Sequence, residues 1–147
     1  MSVQVERRYA ADSLSPTAAR SFVSEMLELW DCDDAEEIAC LLTNELVTNA
    51  VVHAATEIVL RMKLDPPTLL VEVEDGADDL PQPVELTPYS EHGRGLLLID
   101  SLSRRWGARR CPPGKVVWFE LTVGAADPQA NQRPERAEAA LSRRAAV

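Results

Sequence analysis

The sequence predicts an α+β domain: a two-layer sandwich in which a mixed, mostly antiparallel sheet carries its helices on one face. Three observations lead there. Segments with strand and helix periods follow one another as strand, two helices, two strands, helix, two strands. The half-buried strand segments alternate apolar with polar residues, as a sheet with one face on a core and one in water requires. Proline-bearing turns, Asp65-Pro66-Pro67 and Pro112-Pro113-Gly114, reverse the chain between consecutive strands.

Each element has its own signal. Residues 3–9 read as a first strand whose alternation is interrupted by two arginines. Ser15-Pro16 offers a serine cap and a proline at the first helical position, ahead of apolar residues at Phe22, Met26, Leu29 and Trp30. Asp33 or Asp34 can cap a second helix running through Ile38, Leu41, Leu42, Leu46 and Ala50 to about Ala54. Next, Ile58, Leu60, Met62 and Leu64 share one face of a strand, with Glu57, Arg61 and Lys63 on the other.

In the following strand Leu69, Val71 and Val73 point inward, and the same parity aims Asp75 at the core side. From 76 to 92 the chain has three prolines, many acids and no periodicity, a loop longer than compact domains usually carry. Residues 95–105 read as a third helix, with Leu96, Ile99 and Leu102 on one side and Arg104 and Arg105 at the end that suits cations. Segments 106–111 and 115–123 form a last hairpin, with Val117, Phe119, Leu121 and Val123 inward. Domain 1–124 is then followed by a tail, 125–147, that lacks bulky apolar anchors and reads as mobile or weakly helical.

Composition narrows the function classes. The chain has 147 residues, enough for one domain with a single core. With 24 acidic against 15 basic side chains its formal net charge is −9, which disfavours nucleic acid and anionic membrane and favours basic partners. Cys32, Cys40 and Cys111 form an odd set with no zinc-like spacing, and neither a signal peptide nor a membrane-spanning run is visible. The expectation is a soluble cytoplasmic protein.

The second helix contains the stretch LLTNELVTNAVVHA, in which Glu45, Asn49 and His53 interrupt an apolar pattern at intervals of one turn. At about 100° per residue, Asn49 lies about 40° from Glu45, and Ile38, Leu42 and Val52 lie within roughly 60° of it. A carboxylate held among apolar neighbours is costly unless it is paired, hydrated in a cleft or used. His53 reads as a support for the last helical carbonyls. Asp75-Gly76 ends an inward-facing strand, and Gly93-Arg94-Gly95-Leu96 opens the third helix, where bare N–H groups and the helix dipole suit a phosphate.

The combination resembles the Bergerat-fold (GHKL) ATP-binding superfamily of histidine kinases, type II topoisomerases and heat-shock chaperone ATPases. Within it, ELVTNAVVHA, GRGLLLID and GKVVWFEL look like the anti-sigma-factor serine/threonine kinases and their actinobacterial relatives, over roughly residues 9–123. The resemblance implies the Bergerat ATP-binding fold, ATP and Mg²⁺ as cofactors, Asn49 as the metal ligand and Glu45 as the catalytic base. It also implies that Asp75, with Gly76, accepts the adenine amino group, that Gly93, Arg94, Gly95 and Leu96 cradle the phosphates, and that the loop between them is an ATP lid. The implied partners are a sigma factor, an anti-sigma antagonist protein or both, and relatives are often homodimers.

Two departures from the family pattern define an alternative. Where relatives read DxGxG, this chain has Asp75-Gly76-Ala77-Asp78-Asp79, and Val116 stands where many relatives have a threonine near the base. The alternative is a module that keeps the fold and sequesters a partner without efficient catalysis.

Overall fold

The alternating segments form five strands: β1 (Val3–Tyr9), β2 (Ile58–Asp65), β3 (Thr68–Asp75), β4 (Arg105–Cys111) and β5 (Gly114–Thr122). Among the described residues, three α-helices accompany them: α1 (Ser15–Leu29), α2 (Glu36–His53) and α3 (Glu91–Leu102). The computed structural model describes residues 2–77 and 91–124, of which 91–96 by their backbone alone. The expected tail, 125–147, and residues 78–90 of the loop expected to be a lid lie outside the described residues.

The strands form one sheet in the order β1-β2-β3-β5-β4. The α+β architecture with helices on one face of a mostly antiparallel sheet is as expected, and the described pairings are antiparallel throughout. The physical reason lies in the last hairpin. β3 and β4, with α3 between them in the chain, point the same way, and β5 folds back into the gap between them.

Register explains which face is dry. Across the sheet, Leu60 pairs with Val73, Val73 with Val117 and Val117 with Ala108; the next row is Met62, Val71, Phe119 and Trp106. All eight are buried, in one cluster with Val23 and Leu27 of α1, Leu42, Leu46 and Val47 of α2, and Ile99 of α3. Each large apolar side chain so buried contributes about 1.5–3 kcal/mol. The Trp106 indole N–H also donates to Asp100 Oδ1 at 3.0 Å, which ties β4 to α3.

The opposite face is a lattice of ion pairs. Arg61 reaches Glu6 at 2.9 Å and Glu74 at 2.8 Å, and Arg109 reaches Glu72 at 2.8 Å. Solvated pairs of this kind contribute about 0.2–1 kcal/mol each, so they set register more than stability. Gly107 lies beneath the Trp118 ring, where a Cβ would come 2.6 Å from a ring carbon. Only glycine lets the indole lie across β4.

Both expected helix caps are replaced by other bonds. Ser15 is the first residue of α1 rather than its cap; its hydroxyl donates to the Ala10 carbonyl, and Asp12 Oδ1 accepts from Leu14 N–H at 2.9 Å. A 3-10 turn, Asp33–Ala35, leads into α2 without a side-chain cap. Asp34 instead accepts the Gly124 N–H at 2.8 Å and fastens the end of β5 to the start of α2. Among the described residues, no helix is long and apolar enough to cross a membrane.

Candidate functional site

The buried stripe of α2 consists of Ala39, Leu42, Thr43, Leu46, Val47 and Ala50. Glu45 and Asn49 flank it, both half-buried. Neither side chain has a partner among the described residues. Leu41 and Val52 share that flank and are 37% and 60% exposed. The flank is therefore an open wall on which two polar groups, one turn or about 6 Å apart along the axis, stand ready for a ligand. His53 is exposed in the last turn of the helix.

α2 ends abruptly. Ala54 N–H donates to Ala50 O at 2.9 Å, and Ala55 adopts the left-handed conformation with φ 53. The reversal brings Thr56 to the end of β3. There the Thr56 hydroxyl accepts the Gly76 N–H at 2.7 Å, and a Cβ on Gly76 would come 2.9 Å from the threonine methyl.

Asp75 sits at that corner, 6% exposed, on the helix-facing side of the sheet as its parity requires. Its Oδ1 accepts the Ala77 N–H at 2.9 Å and the Lys115 ammonium at 3.0 Å. Lys115 is directly opposite in the β3–β5 register and is 8% exposed. Among the described residues, nothing further bonds to either charged group, so Oδ2 is left as an acceptor. The Asp75-Gly76 corner is thus clamped by Thr56, in the turn ahead of β2, and from β5 by Gly114-Lys115.

One departure from the family pattern acquires a structural meaning here. The Ala77 contact with Asp75 is made by the backbone, as a glycine's would be, so the methyl group does not disrupt the corner. Asp78 and Asp79 lie outside the described residues.

Val116 is not at the site. It pairs with Glu74 and Arg109 on the ion-paired face, and the residue beside Asp75 is Lys115. Sequence reasoning placed Val116 near the base by matching a pattern. Strand parity would have corrected it, because Lys115 shares the inward parity of Val117, Phe119 and Leu121. Thr56 was missed too, for it carries no local signal; only the left-handed Ala55 and the approach of Gly76 bring it in.

The glycine-rich segment also differs from expectation. α3 begins at Glu91, so Gly93, Arg94 and Gly95 lie in its first turns rather than in a loop ahead of it, with Leu96 following. Glycine costs about 1 kcal/mol in a helix and the apolar period starts only at Leu96, which is why the sequence signalled a later start. The N–H groups of the first turn are still unclaimed by the helix. Of residues 91–96 only this backbone placement is described, so the structure does not test a side-chain role for Arg94 or Leu96.

Asp75, Thr56 and Lys115 are thus brought to one corner of the sheet, while Glu45 and Asn49 stand on α2, which packs over β3. A buried carboxylate with one free oxygen fits an amino-bearing heterocycle, and an unpartnered amide and carboxylate fit a polyphosphate and its cation. No curated protein matches the chain. A family model described as "Histidine kinase-like ATPase domain" matches residues 10–121, well over half of the sequence, and covers every element from α1 to all but the end of β5. ATP binding is implied by that domain, and the chain belongs to the histidine kinase-like ATPase domain family.

Proposed function

We propose that this protein is an ATP- and Mg²⁺-binding regulator that phosphorylates a serine or threonine of a partner protein, in the manner of an anti-sigma-factor kinase acting on its antagonist. The observation that carries the reading is the pair Glu45 and Asn49, half-buried, one turn apart and without described partners on a flank of α2. Asp75 with Gly76 would receive the adenine amino group, and Gly93 to Leu96, across the first two turns of α3, would face the phosphates. Asn49 would hold Mg²⁺ through its amide oxygen. Among the described residues, no three His, Cys, Asp or Glu side chains gather into a metal site. A cation at Asn49 would take further oxygen ligands from phosphate and water.

When bound, the cation would neutralise phosphate charge. Glu45 would take the proton of the incoming hydroxyl as that oxygen bonds to the γ-phosphorus and the bond to ADP breaks. A sigma factor, an anti-sigma antagonist or both are the proposed partners, with a homodimer as the proposed assembly. The cytoplasm is the proposed compartment.

A second reading rests on one specific observation. The carboxylate that should meet adenine already holds Lys115 at 3.0 Å, which favours a partner-binding module with weakened catalysis. ATP titration with and without Mg²⁺, followed by transfer of labelled phosphate to a purified antagonist, separates the two. Absence of binding at millimolar ATP would sink the kinase reading. Binding without transfer would favour the module.

A further inference from the structure

The Asp75–Lys115 pair is a fixed feature of the sheet rather than a chance surface contact. The two residues face each other in the antiparallel register of β3 and β5, on the side covered by the helices. Their side chains are only 4% and 10% exposed, and Nζ lies 3.0 Å from Oδ1. Gly114, next to Lys115, is in contact with the Asp75 backbone, so neither strand can slide to separate the two charges.

Bonding capacity shows what remains unused. An ammonium has three donors and no acceptor, whereas a carboxylate accepts at two oxygens. One Lys115 donor is spent on Oδ1, and both described bonds to the Asp75 carboxylate fall on that same oxygen. What is left is an acceptor, Oδ2, beside two cationic N–H donors. Leaving such groups unmatched under a ligand would cost far more than pairing them.

We infer that Lys115 is a second base-reading residue, donating to the ring nitrogen that flanks the adenine amino group while Asp75 accepts from the amino group itself. This rests on the ATP reading above. Adenine presents a donor beside an acceptor on each side of its amino group, through N1 on one side and N7 on the other. A carboxylate alone reads only the donor. The charge pair reads both, and it does so without losing the bond that keeps Lys115 compensated in the apo protein.

The probes are ATP, 1-deaza-ATP and 7-deaza-ATP, each analogue lacking one of the two ring acceptors, titrated into the full chain and into Lys115→Met. Because a hydrogen bond to a charged donor is at stake, the wild-type protein should lose about tenfold or more in Kd on one of the two analogues. Lys115→Met should bind ATP and that same analogue equally. Wild-type binding of ATP and both analogues within about twofold, on the same scale, overturns the role of Lys115 and leaves the ATP reading intact. An analogue penalty of equal size in Lys115→Met also overturns it, since another group would then make the contact. No binding of ATP to the wild-type protein overturns the underlying reading as well. Should Lys115→Met fail to fold, Lys115→Ala takes its place with the same two outcomes, and the wild-type comparison by itself still overturns the role if both analogues bind like ATP.

Discussion

Gly114 approaches Asp75 so closely that a Cβ placed on the glycine would lie 1.8 Å from the Asp75 carbonyl oxygen. The obstacle is backbone, so no side-chain rotation relieves it. Gly114→Ala must therefore push β5 away from β3 at the point where Lys115 meets Asp75. The expected cost is at least about 2 kcal/mol in urea unfolding, in the range of overpacked interiors, together with loss of nucleotide binding in whatever folds. Unchanged stability would mean that the two strands are not held as described.

Thr56 supports the same corner from the other side. Thr56→Val keeps the shape but removes the hydroxyl that accepts the Gly76 N–H at 2.7 Å. Gly76 is exposed, so water can take over its N–H, and the lost bond should cost about 0.5–1.5 kcal/mol; Thr56→Ser should restore most of it. Equal stability of Thr56→Val and Thr56→Ser in equilibrium unfolding would contradict the role of the hydroxyl.

Ala55 has φ 53, a conformation that side chains with a Cβ adopt at a cost. Ala55→Gly should stabilise the fold by about 1 kcal/mol and raise Tm accordingly. A lower Tm would show that the end of α2 is held some other way.

Burial pushes the Cys32 and Cys40 thiols up, reinforced by Asp34, Asp31 and Asp33 around Cys32 and by Glu36 beside Cys40, where Arg20 opposes in part. The folded chain thus holds these protons more tightly than the unfolded chain. Their contribution to stability is complete below the ordinary thiol value of 9.0 and is lost as pH rises past it. Peptide-resolved alkylation at mildly alkaline pH should label both cysteines more slowly in the native protein than in urea. Equal rates in the two states would contradict the burial of Cys32 and the half-buried placement of Cys40.

Much of this architecture was readable because it rests on local period. The inward parity of Leu69, Val71 and Val73 carried Asp75 to the core side, as the structure has it. The α2 pattern set Glu45 and Asn49 among apolar neighbours, whereas both are half-buried at the margin of the buried stripe and the neighbouring Val52 is 60% exposed. What escaped was decided by partners distant in sequence. Asp34 is drawn from capping α2 to bonding Gly124, 90 residues away, and Thr56 meets Gly76 only because Ala55 reverses the chain. Lys115 was legible in principle, since β5 places it opposite Asp75, but a family pattern drew the eye to Val116 on the wrong face.

The central claim is that Asn49, and not Glu45, serves the cation. Calorimetric titration of ATP, with and without Mg²⁺, into the wild-type chain, Glu45→Ala and Asn49→Ala tests it most directly. The account predicts that Mg²⁺ strengthens ATP binding in the wild-type protein and in Glu45→Ala, and that Asn49→Ala loses that gain while keeping its Mg²⁺-free affinity. An Mg²⁺ gain of the same size in Asn49→Ala, or no ATP binding by the wild-type chain, would contradict it.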